Sequence, residues 1–79
     1  MDYIAIFYNH GGAIKFSKNL SENGVKGELI PAPRKLTSNC NIACRFSYDK
    51  NLENIIIEEV ERILLVKNKE VATVYEDYY

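Results

Sequence analysis

The chain contains few of the features that announce a specialised protein. Its 79 residues include two cysteines, one histidine, two prolines and four glycines. A structural zinc site normally needs four ligands, arranged as two closely spaced pairs. One histidine and one C-x3-C pair fall short, so no metal is expected. No apolar run approaches the ~18 residues that span a bilayer, so no membrane segment is expected. The start, MDYIAIFYNHGG, has an acid at position 2 and no basic region, unlike a secretory signal. Ten basic and eleven acidic residues give a net charge of −1, which provides no electrostatic footprint for nucleic acid or an anionic membrane. Linkers, repeats and low-complexity stretches are also missing. A chain this short buries only about 60–65 % of its unfolded surface, which leaves little room for a deep enclosed active site. One domain, residues 1–79, is expected. A cytoplasmic chain with two cysteines keeps them reduced.

What is present is a compact alternation of apolar runs and breaks. Hydrophobic residues make up 47 % of the chain, as in a globular domain. Residues 3–8 (YIAIFY) are aromatic and β-branched and read as a buried strand. Asn9-His10-Gly11-Gly12 breaks that run, with Asn9 as a helix N-cap. Ala13, Phe16, Ser17 and Leu20 recur at helical spacing, and Asn23-Gly24 ends the helix. Residues 27–31 (GELIP) read as a second strand, placed at a sheet edge because Pro31 and Pro33 cannot donate ladder hydrogen bonds. Residues 42–48 form a third strand. Asp49-Lys50-Asn51 is a capping turn. Leu52, Ile55, Ile56, Val60, Ile63 and Leu64 lie on one stripe and predict a helix over 52–66. Residues 71–76 predict a fourth strand.

The resulting order, β-α-β-β-α-β, is the split-βαβ pattern of ferredoxin-like α+β domains. It predicts a four-stranded antiparallel sheet in the order 4-1-3-2, with two helices on one face. Tyr3, Ala5, Phe7, Ile30, Ala43, Arg45 and Tyr75 are assigned to the open face. An apolar open face suits a homodimer or a docked partner.

This topology separates the two cysteines. Cys44 alternates with Ala43 and Arg45 and shares a face with Ile42 and Phe46, as a small buried hydrophobe would. Cys40 ends a polar loop. Extended chain rises ~3.3 Å per residue, so the two Cα atoms should lie ~11–13 Å apart, beyond the ~7 Å a disulfide tolerates. The loop after the first strand and the loop between the second and third lie at the same end of the sheet. Cys40 is thereby brought towards His10, Gly11 and Gly12 at the start of the first helix, and towards Arg34. A helix N-terminus, a cation and a histidine each lower a thiol's pKa. Two readings of these residues stay open. Cys40 is a reactive thiol held by that cluster, or it is an incidental loop residue with His10 capping a turn and Arg34 solvated. In the second case the chain is a non-catalytic ligand-binding, regulatory or interaction module.

The segments YIAIFYNHGGAIKFSKNL and GVKGELIPAPRKLTSNCNIACRF resemble a family of small bacterial domains described as selenium/sulfur carrier-like proteins. Pro33, Arg34, Ser38, Cys40, Ala43, Arg45 and Phe46 fall on the family pattern, and His10 falls on its loop histidine. Asn41 stands where the family usually has glycine, and Cys44 where it usually has an aliphatic residue. The resemblance implies a carrier rather than an enzyme with turnover of its own. In it, Cys40 would accept sulfur or selenium from a partner such as a cysteine desulfurase and pass it on, without a cofactor. His10, Gly11, Gly12, Arg34, Ser38 and Asn39 would form the surrounding site.

Overall fold

The structure is a computed structural model that describes residues 1–32 and 41–77. Five strands and one α-helix follow in the order β1 (Asp2–Phe7), α1 (His10–Glu22), β2 (Gly27–Pro31), β3 (Ile42–Ser47), β4 (Val60–Lys67) and β5 (Glu70–Glu76), with a 3-10 turn at Leu52–Asn54 before β4. The strands form one sheet, ordered β2-β3-β1-β4-β5. Every neighbouring pair is antiparallel. The α+β class therefore holds, but with five strands and one helix rather than four strands and two helices.

β1 is the centre of the sheet, which explains its unbroken apolar sequence. Ala5, Ile6 and Phe7 are all fully buried, because a strand covered on both faces has no polar side to alternate with. Its register pairs Ala5 with Cys44 on one edge and with Ile63 on the other. β2 lies at the edge of the sheet, as its proline requires.

α1 packs over β1, β2 and β3, touches β4 and does not reach β5. Asn9 caps it: its backbone is extended and its Oδ1 accepts the Gly12 N–H at 2.7 Å. Gly24, at φ +74°, closes the far end. There the Val25 N–H reaches the Leu20 carbonyl at 2.8 Å and the Gly24 N–H reaches Ser21 at 3.1 Å, the paired bonds of a Schellman cap. Ala13, Phe16 and Leu20 point into the core. Phe16 meets Phe7 and Phe46 at ring-centroid distances of 5.3 and 5.4 Å, and Tyr3 stacks on Phe46. On the opposite face a smaller cluster of Ile6, Ala43 and Leu64 is buried, with Ile4, Ile30 and Ala32 packed against it.

Three expectations are corrected here. The predicted helix over 52–66 is a 3-10 turn followed by β4. The stripe from Leu52 to Leu64 fits helical spacing, but Ile55, Ile56, Ile57, Val60, Ile63 and Val66 are β-branched and favour extended backbone. In β4 the adjacent pair Ile63 and Leu64 serves opposite faces, one in each cluster. Asn68 and Lys69, at φ 50° and 70°, are the two positive-φ residues of a tight hairpin turn. β4 thus takes the place beside β1 expected of residues 71–76, which instead form β5 outside it. Second, the break after β1 is shorter than Asn9-His10-Gly11-Gly12: with Asn9 as N-cap, His10, Gly11 and Gly12 are already the first turn of α1. Third, Tyr3, Ala5, Phe7 and Tyr75 belong to the helix-side cluster. Their register partners Phe46, Cys44, Val60 and Ile63 lie in the same cluster.

Candidate functional site

The sheet end at which β1 finishes carries the candidate site. Phe7 closes β1 there, β2 finishes at Pro31 and β3 begins at Ile42. Pro31 and Ile42 are register partners, and the Ala32 N–H donates to the Asn41 carbonyl at 2.8 Å. The two strand ends are thereby tied together immediately before and after residues 33–40. Cys40, Arg34, Ser38 and Asn39 lie outside the described residues. His10, Gly11 and Gly12 begin α1 at this same end, with His10 and Gly11 exposed and Gly12 buried.

The close backbone approach at this glycine pair is to the protein itself. A Cβ on Gly12 would lie 2.5 Å from the Cβ of Glu59, whereas one on Gly11 would meet nothing nearer than Asn9 Oδ1 at 3.5 Å. Glu59 precedes β4 and fastens it to the helix start. Its carbonyl accepts the Tyr8 N–H at 3.1 Å, and its Oε2 accepts from Lys15 Nζ at 3.1 Å. The hydrogen bond from the Lys15 ammonium holds the Glu59 carboxyl below its usual value, against a smaller opposing effect of desolvation. Oε1 is shielded from solvent and has no hydrogen-bond partner among the described residues. Tyr8 adds a second tie: its hydroxyl donates to Asp77 Oδ2 at 2.8 Å. Sequence reading missed Glu59, Lys15, Tyr8 and Asp77. The pairs are 44 and 69 residues apart, and no local spacing marks them.

Cys44 occupies the helix-side core as a free thiol with no exposure. Burial pushes its thiol from 9.0 up to about 11, partly offset by a backbone hydrogen bond at Glu28. The low-dielectric site disfavours the thiolate, which is the nucleophilic form. A Cβ added to Gly27 would lie 2.8 Å from its Sγ, so β2 covers the sulfur closely. Cys44 is therefore a packing residue. Among the described residues, no three His, Cys, Asp or Glu side chains come together to hold a metal. No helix among them is long and apolar enough to cross a membrane.

The family model described as "Putative Se/S carrier protein-like" matches residues 2–76. No curated protein and no solved structure matches the chain. The match spans nearly the whole chain, and the protein belongs to that family.

Proposed function

Taking membership of the Se/S carrier-like family as the premise, we propose that the protein accepts a sulfur or selenium atom on Cys40 and hands it to an acceptor. The observation that carries this reading is the burial of Cys44. The sequence has two thiols. The fold removes one from chemistry and leaves Cys40 as the other. Two further features support the reading. The ties at Asn41 and Ala32 set the residues flanking the Cys40 segment at the sheet end where α1 begins. A helix N-terminus favours a nearby anion, here a thiolate or persulfide, by about 0.3–1 kcal/mol when exposed. His10 stands exposed in that first turn, a side chain able to donate or accept a hydrogen bond.

The chemistry is an exchange without net oxidation or reduction. The Cys40 thiolate attacks the terminal sulfur of a persulfide on the donor protein. A new S–S bond forms at Cys40, the donor's own S–S bond breaks, and the donor leaves as a thiolate. With a selenosulfide donor the atom passed is selenium. An acceptor nucleophile then takes the terminal atom and Cys40 leaves as thiolate. Cysteine desulfurases are the class of donor this requires, and the reducing cytoplasm is the compartment that keeps both thiols free.

The test is intact mass spectrometry after incubation with a cysteine desulfurase and cysteine, or with a selenocysteine lyase and selenocysteine. The expected product carries one added sulfur or selenium atom that dithiothreitol removes. Cys44→Ser should retain the adduct and Cys40→Ser should lose it. An adduct that survives in Cys40→Ser, or no adduct on the native chain, overturns the reading.

A further inference from the structure

The helix side of the sheet is covered unevenly. α1 lies over β1, β2 and β3 and does not reach β5. The segment through Ile56 and Ile57 packs onto the core beside it, and both residues remain only partly buried. Two hollows follow the uncovered part of this face. One of about 490 Å³ is lined by Ile56, Ile57, Glu58, Tyr75 and Asp77. The other, about 380 Å³, lies between Leu65 and Ala72 on its floor and Lys67 and Glu70 at its rim. Leu65 and Ala72 are register partners. Leu65 and Tyr75 both pack on the helix-side core, so the hollows open on the same face. From Tyr75 to Val71 the strand covers ~13 Å at ~3.3 Å per residue, the length of two to three helical turns at ~5.4 Å each.

We infer that these two hollows over β4 and β5 together form a groove that docks an amphipathic helix with a basic polar face, supplied by a partner protein. The shape is that of a helix site: the apolar floor lies on the sheet face, beside α1, which is already packed there. The sign of the partner's charge follows from the rim: among the described residues lining the two hollows, Glu58, Asp77 and Glu70 stand against one cation, Lys67. The same bias runs through the sequence. Residues 51–79 hold seven acidic and three basic residues, whereas residues 1–50 hold four acidic and seven basic. A second copy seated groove to groove would oppose these carboxylates to themselves across a twofold axis. A Lys- or Arg-bearing helix meets them with opposite charge. Asp77 is bonded to Tyr8, one residue before the Asn9 cap, so the groove opens at the end of the sheet where α1 starts. The inference goes beyond the carrier reading and does not depend on either thiol.

The probe is a synthetic amphipathic peptide of leucine and lysine, with its leucine and glutamate counterpart as control, titrated into ¹⁵N-labelled full-length protein at low salt. The Lys peptide should shift the amides of Ile56, Ile57, Leu65, Ala72 and Tyr75, and the Glu peptide should not. The double variant Glu58→Lys/Glu70→Lys, at two exposed positions, should keep the native spectrum and bind the Lys peptide at least tenfold more weakly. The inference is overturned if no shifts appear, if they map to α1 or to the outer edge of β5 alone, or if both peptides bind equally. Groove signals that move with protein concentration alone would identify a second copy as the occupant and overturn it too.

Discussion

Gly12 and Glu59 meet so closely that the helix start and the entry to β4 have no room for a side chain between them. A Cβ on Gly12 would sit 2.5 Å from the Cβ of Glu59, and the neighbour is the stem of the side chain rather than its flexible tip. Gly12→Ala should cost roughly 1–3 kcal/mol through overpacking. Gly11→Ala, one residue earlier and meeting only an ordinary contact with Asn9 Oδ1 at 3.5 Å, should be neutral or stabilising by up to about 1 kcal/mol, since alanine suits a helix better than glycine. Paired urea melts distinguish the two. Equal effects would show that the contact at Gly12 carries no energy.

The Cys44 thiol sets an alkaline limit on stability. Its folded value is raised to about 11 from 9.0, so the folded state holds the proton more tightly. The contribution is complete below the unfolded value and is lost as pH rises from there through the folded one. At most roughly 2–3 kcal/mol is at stake by linkage. Denaturant melts from neutral to strongly alkaline pH should show this loss in the native chain and not in Cys44→Ala. Alkylation of Cys44 should be slow under native conditions and should accelerate on unfolding. Cys44→Ser should cost roughly 1–3 kcal/mol by placing a hydroxyl in an apolar site.

The Lys15–Glu59 pair acts at the acid end. Lys15 lowers the carboxyl of Glu59 below 4.5, so the pair stabilises the fold above the ordinary glutamate value and stops doing so as pH falls through the lowered one. Lys15→Met should be less stable than the native chain near neutral pH, and the gap should close on acidification. The contact is exposed, so added salt should narrow the gap as well. A gap independent of both pH and salt would mean that Lys15 acts only through its aliphatic stem.

The hairpin turn places Lys69 at φ 70°, where a side chain carries a steric cost of roughly 1–2 kcal/mol that glycine avoids. Lys69→Gly should stabilise the protein by about 0.5–1 kcal/mol, a rise of several degrees in Tm for a domain of this size. Lys69→Val should destabilise it by at least as much. Calorimetry of the three proteins decides it. A Gly variant no more stable than the native chain would contradict the strain assigned to this turn.

Local signals made half of the fold legible in the sequence. Asn9, Asn23-Gly24 and the Ala13–Phe16–Leu20 stripe marked α1, because caps and helical periodicity act within a few residues. Pro31 marked β2 as an edge, and the alternation around Cys44 placed that thiol in the core. The hairpin of β4 and β5 was missed because Ile63-Leu64 satisfies a helical stripe as readily as two faces of a strand. The need of β1 for a partner along its second edge is a property of the whole sheet. The turn signal was present in Asn68-Lys69, although lysine is a poor advertisement for positive φ. The same limit applies to the site. The convergence of the His10 turn with the ends of β2 and β3 followed from chain direction alone. Glu59 and Asp77 joined it through contacts that only the folded chain creates.

The hydrogen bond between Ala32 and Asn41 acts as a clasp. It fixes the approach of the two chain ends that flank residues 33–40. The sheet below is closed by its own ladder, and doubling a connection's length costs only about 0.6 kcal/mol in closure entropy. Lengthening the connection between positions 32 and 41 should therefore add little closure cost while that bond and the β2–β3 ladder hold. The span to be closed is thereby set by the sheet rather than by the length of the chain that crosses it.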